Sequence, residues 1–327
     1  MPDPVTHHYF GTEVLSSLAP EVSAMIAPSV FERALQGPDP WSTLGFWGGK
    51  EKSYAAHSMK MHSQKAGTFL QALLKEACEA QSPETFSFLA GFLCHYCLDK
   101  KAHPYIICKS GQYDGTAETY PQRGGHVRME RSIDSYYIRR VYNKKPWRFS
   151  LSKNIFRYKK LPEALRLPLD RAFKQVYGWE RGFDLFNRAL RCERLFYRLM
   201  QDPLGLVQLL LRPISHGANN YCVYSYYRRE TDPARLDYLN EKHTPWHHPC
   251  DPTIASTESF AELFAKAKED AVEMILTAWR IVRGEQNAAE LPFGDAHYST
   301  GFACDDSRNE NKPVCEPLNY KNYYQNQ

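Results

Sequence analysis

Eight residues between Asp39 and Asp134 belong to the types that hold divalent metals and move protons: Asp39, His62, His95, Asp99, His103, His126, Glu130 and Asp134. Two runs are tight, His95-x3-Asp99-x3-His103 and His126-x3-Glu130-x3-Asp134. Residues four apart stack on one helix face. Two such faces turned toward each other enclose imidazoles and carboxylates, the ligand set that zinc takes when thiolates are not used. The chemistry implied is hydrolytic. A single histidine on an apolar face, or one His-x3-carboxylate pair, says little; the argument rests on two ladders on consecutive helices.

The elements that carry these residues come next. Asp39 sits in Gly37-Pro38-Asp39-Pro40, where flanking prolines stiffen the backbone and fix where the carboxylate points. His62 falls in an amphipathic stretch from Ser53 to Ala80. Ser82-Pro83-Glu84 predicts a helix start, an N-cap followed by Pro and an early acid. The helix it opens, Phe86 to about Lys101, is apolar almost all round and belongs at the centre of a bundle. His95 and Asp99 are therefore buried polar groups in need of partners. After Gly124-Gly125, His126 begins a helix running to about Tyr142. Further helices are predicted over Thr12–Ile26, over Leu169–Met200 with a break near Gly178, and over Ser259–Arg283. Pro213 to Asp251 reads mostly as loop, and the polar, Asn/Tyr-rich stretch after Gly284 lacks periodicity. With no internal repeat and no linker, residues 1–327 read as a single all-α domain, a multi-helix bundle with an irregular tail from about 285.

Thr6-His7 followed by Phe10-Gly11, then Gly37-Pro38-Asp39, Met61-His62, GFLCHYCLDKKAHPYI (91–106) and His126-x3-Glu130-x2-Ile133-Asp134 resemble the bacterial zinc-dependent phospholipase C family. That family shares its helical fold with the P1-type nucleases. The resemblance covers most of the chain and thins in the C-terminal half to Trp246-His247-His248-Pro249 and the helix start Ser259-Phe260-Ala261-Glu262-Leu263. It implies up to three zinc ions: one held by Asp39, His62, His95 and Asp99, a second by His103, His126 and Glu130, and a third by His7 with a bridging Asp99. In the secreted members the mature N-terminal residue completes the third site with its amine and carbonyl; here a processed Pro2 amine is expected to approach it. Asp134 would orient a ligand histidine from behind. Asp39 is the candidate base as well as a ligand. This chain departs from the secreted members in a shorter interval between Asp99 and His103 and in showing no signal peptide.

Bulk properties are ordinary for a folded protein: 327 residues, 43% hydrophobic, 24% charged. A net charge of +4 is too small to imply nucleic acid. Nine cysteines without a paired framework fit a reducing compartment, and the cytosol is the expected location. The best apolar run, Leu204 to Leu211, is eight residues, so no transmembrane segment is expected and lipid contact would be peripheral. Arg139 to Lys160 carries nine Lys or Arg, no acid, and interleaved aromatics, which could attract phosphates or an anionic membrane surface. His243, His247, His248, Cys250 and Asp251 resemble a metal site by composition, but their prolines and the lack of a matching partner set favour a substrate-pocket wall of Trp246 and His247. Trp41, with Phe46 and Trp47, could form an aromatic wall for a quaternary ammonium. No nucleophile elbow, P-loop or dinucleotide fingerprint occurs.

The expectation is a zinc-dependent phosphodiester hydrolase, with a glycerophospholipid cleaved next to its headgroup. One rival is the same site acting on nucleotides or single-stranded nucleic acid. The other is a metal-stabilised protein that binds lipid or a partner without turnover.

Overall fold

The computed structural model describes residues 4–47, 53–157, 160–201, 204, 206 and 236–318. Its helices in chain order are α1 (Pro4–Ser17), α2 (Pro20–Ser23), α3 (Pro28–Ala34), α4 (Ala56–Ser63), α5 (Ala66–Ala80), α6 (Pro83–Ser110), α7 (Gly125–Tyr142), α8 (Leu151–Asn154), α9 (Arg166–Tyr177), α10 (Gly182–Met200) and α11 (Phe260–Val282). A 3₁₀ segment, Asp39–Trp47, follows α3. The one departure from helix and turn among the described residues that forms a sheet is an antiparallel hairpin, β1 (Trp246–His248) with β2 (Asp251–Ser256). The fold is all-α.

Helix α6 is the axis on which the rest is built. Its 28 residues span about 42 Å at 1.5 Å per residue. Ser82 caps it, accepting the Thr85 N–H, with Pro83 in the first turn. Its apolar circumference is covered by α3 and α11 above all, then by α5, α1, α7 and β1. A helix apolar on every side must be enclosed, and this one is. It runs nine residues beyond Lys101, through Pro104. Proline removes the N–H that would bond the carbonyl four residues back, that of Lys100. At that place Gly301, at φ 73°, packs against the helix; a Cβ on it would lie 2.7 Å from the Lys100 oxygen.

Proline also sets boundaries that periodicity alone misplaces. The helix predicted over Thr12–Ile26 starts earlier, at Pro4, and breaks before Pro20. The stretch Ser53–Ala80 divides into α4 and α5, because Lys65 adopts a left-handed conformation (φ 56°). Helix α11 begins with a reciprocal cap, in which the Ser259 hydroxyl accepts the Glu262 N–H while the Glu262 carboxylate accepts the Ser259 N–H. No helix among the described residues is long and apolar enough to cross a membrane.

Candidate metal centre

His95, Asp99 and His103 form a ladder on one face of α6, and all three are buried. His62, near the end of α4, and Asp39, at the start of the 3₁₀ segment, approach that face. The orientation of the imidazoles is fixed by backbone carbonyls. The Nδ1–H of His62 donates to Ser58 O (2.7 Å) and that of His95 to Leu35 O (3.0 Å). A carbonyl can only accept, so each Nδ1 carries a proton and each Nε2 is the atom turned toward the cluster. Gly37 makes room for this arrangement. It sits at φ 50°, and a Cβ on it would come within 2.4 Å of the His95 ring.

The four donor atoms then meet. His62 Nε2 lies 3.2 Å from Asp39 Oδ1 and 3.7 Å from Asp99 Oδ2. His95 Nε2 lies 3.6 Å from Asp39 Oδ1 and 3.1 Å from Asp99 Oδ2. Four ligands about 2.0–2.1 Å from a tetrahedral zinc are separated by edges of roughly 3.3–3.4 Å. The four His–carboxylate separations straddle that value. None of these four atoms has a hydrogen-bond partner, although all are buried. Buried polar atoms left so are costly unless something between them compensates. The donor set fits zinc.

A second set lies further along α6. The Nδ1–H of His103 donates to Tyr298 O (3.0 Å), turning Nε2 to within 3.6 Å of Glu130 Oε1. His126, one turn before Glu130 on α7, puts Nε2 at 2.8 Å from the same oxygen. The short interval between Asp99 and His103 keeps both sets on one helix face, with His103 Nδ1 3.6 Å from Asp99 Oδ2. Beside the first set, His7 stacks on His95 (4.0 Å between rings) and places Nε2 3.3 Å from Asp99 Oδ1. Since His95 Nε2 is already directed at Asp39 and Asp99 Oδ2, His7 and Asp99 Oδ1 are the described donors for a third position. Residues 1–3, including the Pro2 amine, lie outside the described residues. Asp134 fastens the start of α1, accepting the N–H groups of Val5 (3.0 Å) and Thr6 (2.7 Å) and the Thr6 hydroxyl (2.7 Å). These bonds anchor the two residues that precede His7.

Electrostatics match the geometry. Burial disfavours a charged His62, yet Asp39 and Asp99 overcome it and push its pKa up to about 9. Burial also works against a charged Asp99, but the imidazoles around it, His103 and His95 foremost, hold its carboxyl well below the usual range. Glu130 is held low despite burial, with His126 and His103 beside it. His7 moves the other way, to about 4, because burial and the like charge of His95 outweigh Asp99. The field at the first set is negative where a cation would sit.

A comparison with protein-family models matches residues 6–190, more than half of the chain, to the family described as zinc dependent phospholipase C. The chain belongs to the zinc-dependent phospholipase C family. No curated protein and no solved structure matches it. The matched region contains every residue of the three donor groups: His7, His95 and Asp99; Asp39, His62 and His95; His103, His126 and Glu130.

The aromatic residues expected to meet substrate fare differently in this zinc-dependent phospholipase C family member. Trp41 is fully buried among Phe173, Trp179 and Phe186, so it has no face to offer a ligand, and the wall expected of it is corrected to a core anchor. Burying a ring of that size contributes about 5 kcal/mol as an upper figure. It pins the segment that carries Asp39. The side chains of Phe46 and Trp47 lie outside the described residues. Trp246 is also buried, against Tyr105, with its indole N–H donating to Glu258 O. His247 faces Glu316, with Nδ1 2.5 Å from Oε1. His248 pairs with Thr300 O and His243 with Thr257 O, so the histidines of this hairpin have partners other than one another.

Sequence reasoning missed the segment around Tyr298. Its N–H donates to His62 O (2.9 Å), its carbonyl accepts from His103, and its ring packs on His62 and His95. A backbone carbonyl leaves no mark on residue type, and the tail lacks the periodicity that makes helices legible.

Proposed function

We propose that this protein is a zinc-dependent phosphodiester hydrolase that cleaves glycerophospholipids between glycerol and phosphate. The observation that carries the reading is the cluster of Asp39, His62, His95 and Asp99, which could close around one zinc, beside a set of His103, His126 and Glu130 whose three donors would leave zinc a position for water or substrate. Zinc at these sets supplies Lewis acidity toward phosphoryl oxygens and lowers the pKa of water toward neutrality.

The chain's own residues divide the remaining work. Asp99, wholly enclosed, balances the histidines around it. Asp39, with 12% of its side chain exposed, is the most accessible of the first four donors. One of its oxygens holds the contacts with His62 and His95 while the carboxylate accepts a proton from the water that attacks phosphorus. The glyceryl oxygen departs and takes a proton, giving diacylglycerol and a phosphorylated headgroup. His126, 38% exposed, marks the approach from solvent.

The exposed cations Arg139, Arg140, Lys144, Lys145 and Arg148 suit peripheral contact with anionic lipid. Phe149 and Phe156 of the same stretch are buried in the core, which removes two of the aromatic faces that stacking on nucleic-acid bases would use.

The test is a paired assay of zinc-loaded protein on phosphatidylcholine vesicles and on a 3′-nucleotide. Release of diacylglycerol, abolished by chelation, is expected. Cleavage of the nucleotide alone would replace the phospholipid reading with the nuclease one. Turnover of neither would support the rival without catalysis.

A further inference from the structure

Residues 294–302, part of the stretch read as an irregular tail, are clamped across the metal centre. Asp295 Oδ1 accepts the Gly67 N–H (2.6 Å), and the Ala296 N–H donates to the Tyr96 hydroxyl (2.8 Å). Tyr298 ties His62 to His103 through its own N–H and carbonyl. His297 stands between these anchors. Its N–H donates to Phe302 O (2.7 Å) and its carbonyl accepts from Gly301 (2.8 Å), so its backbone is held on both sides.

The ring is also defined. His297 Nδ1 accepts the Ser299 N–H (3.0 Å). An imidazole that accepts at Nδ1 is neutral and carries its proton on Nε2. Among the described residues that Nε2–H has no protein acceptor, and the side chain is only partly buried. Burial, followed by the like charges of His62 and His103, lowers the His297 pKa to about 4, so the ring stays neutral at neutral pH. The next residue, Tyr298, touches a donor residue from each set, His62 through its N–H and His103 through its carbonyl, so His297 lies beside both.

We propose that His297 is a substrate-contacting residue, donating its Nε2–H to an anionic phosphoryl oxygen brought to the metal centre. This rests on the phosphodiester-hydrolase reading. A neutral donor suits the position: it stabilises an oxyanion without adding the repulsion that an imidazolium would bring to a site built for cations. A histidine that merely tied its own turn through Ser299 would do the same for the backbone and nothing for a bound anion.

Calorimetry with inorganic phosphate and zinc-loaded protein separates these roles. His297→Phe is expected to weaken phosphate binding about 10–100-fold, the usual effect of losing a hydrogen bond to a charged group, with zinc per chain unchanged and only a small drop in Tm from the lost Ser299 contact. His297→Gln places an amide N–H at a similar reach and is expected to recover most of the affinity, which a structural role would not predict. Phosphate affinity within about twofold of wild type in His297→Phe overturns the inference alone, as does an equal loss in both variants. Wild-type protein that binds zinc but no phosphate overturns the reading of the site itself, and this inference with it.

Discussion

The donors around Asp99 and those around Glu130 draw on the same helix, yet one set is closed off and the other meets solvent. Asp99 and His95 are 0% exposed, whereas His126 is 38% exposed. The first set has four donors drawn from three segments, each held from behind by a backbone carbonyl or a stiff turn. The second has three, two of them one turn apart on α7. Closed four-donor sites resemble structural zinc sites, and three-donor sites with an open position resemble catalytic ones. On the proposed function, α6 would hold one metal tightly and another exchangeably, and folding and turnover would depend on different residues of one ladder.

That division can be broken most easily at Asp99. Four histidines, His7, His62, His95 and His103, approach its carboxylate. Removing one member of a buried charged group costs about 3–5 kcal/mol. Asp99→Ala is therefore expected to lower Tm sharply and to strip zinc from the first set. His126→Ala should lose zinc from the second set with Tm nearly unchanged. Equal losses of Tm in the two variants would erase the distinction.

Asp39 sharpens it further, because it belongs to the closed set but lies at its edge. Asp39→Asn keeps an oxygen for coordination and loses the base, so kcat is expected to fall about 10²–10⁴-fold while most zinc stays bound. Near-normal turnover with full zinc would remove Asp39 as base and leave its role as ligand intact.

The smallest expected effect is on pH. His62 has a pKa of about 9 in the metal-free fold and 6.5 as its ordinary value, so between these the folded chain binds a proton that the unfolded chain has released. Its stabilisation is complete below about pH 6.5 and is lost as pH rises through 9. Tm of the metal-free protein should fall over that window. The zinc-loaded protein should gain relative to it, since zinc requires His62 neutral and competes with protons less as pH rises. A gap between the two that stays constant from pH 6.5 to 9 would show that His62 does not bind zinc.

Much of this is legible in the sequence because the chemistry is written in side chains at helical spacing. The ladder on α6 and the pair on α7 follow from period and burial alone: an all-apolar helix cannot leave Asp99 without partners. Periodicity ends α6 too early, since Pro104 is a strong stop signal that the surrounding helices override. Trp41 is misread because an aromatic beside a ligand has the same letter whether it faces substrate or core, and only the positions of Phe173, Trp179 and Phe186 decide. The carbonyls of Leu35, Ser58 and Tyr298 that set the imidazoles are invisible, as backbone atoms belong to every residue. His297 escapes notice for a related reason: its meaning comes from where the loop is clamped, and no periodic pattern records that.

The central claim is that one helix organises two zinc sets of unequal closure, and counting zinc per chain during stepwise chelation tests it most directly. The account predicts at least two zinc ions per folded chain, with the one held by His103, His126 and Glu130 leaving first, hydrolysis lost at that step, and Tm falling only when the second departs. A single zinc per chain, or the concerted loss of all zinc with unfolding, would contradict it.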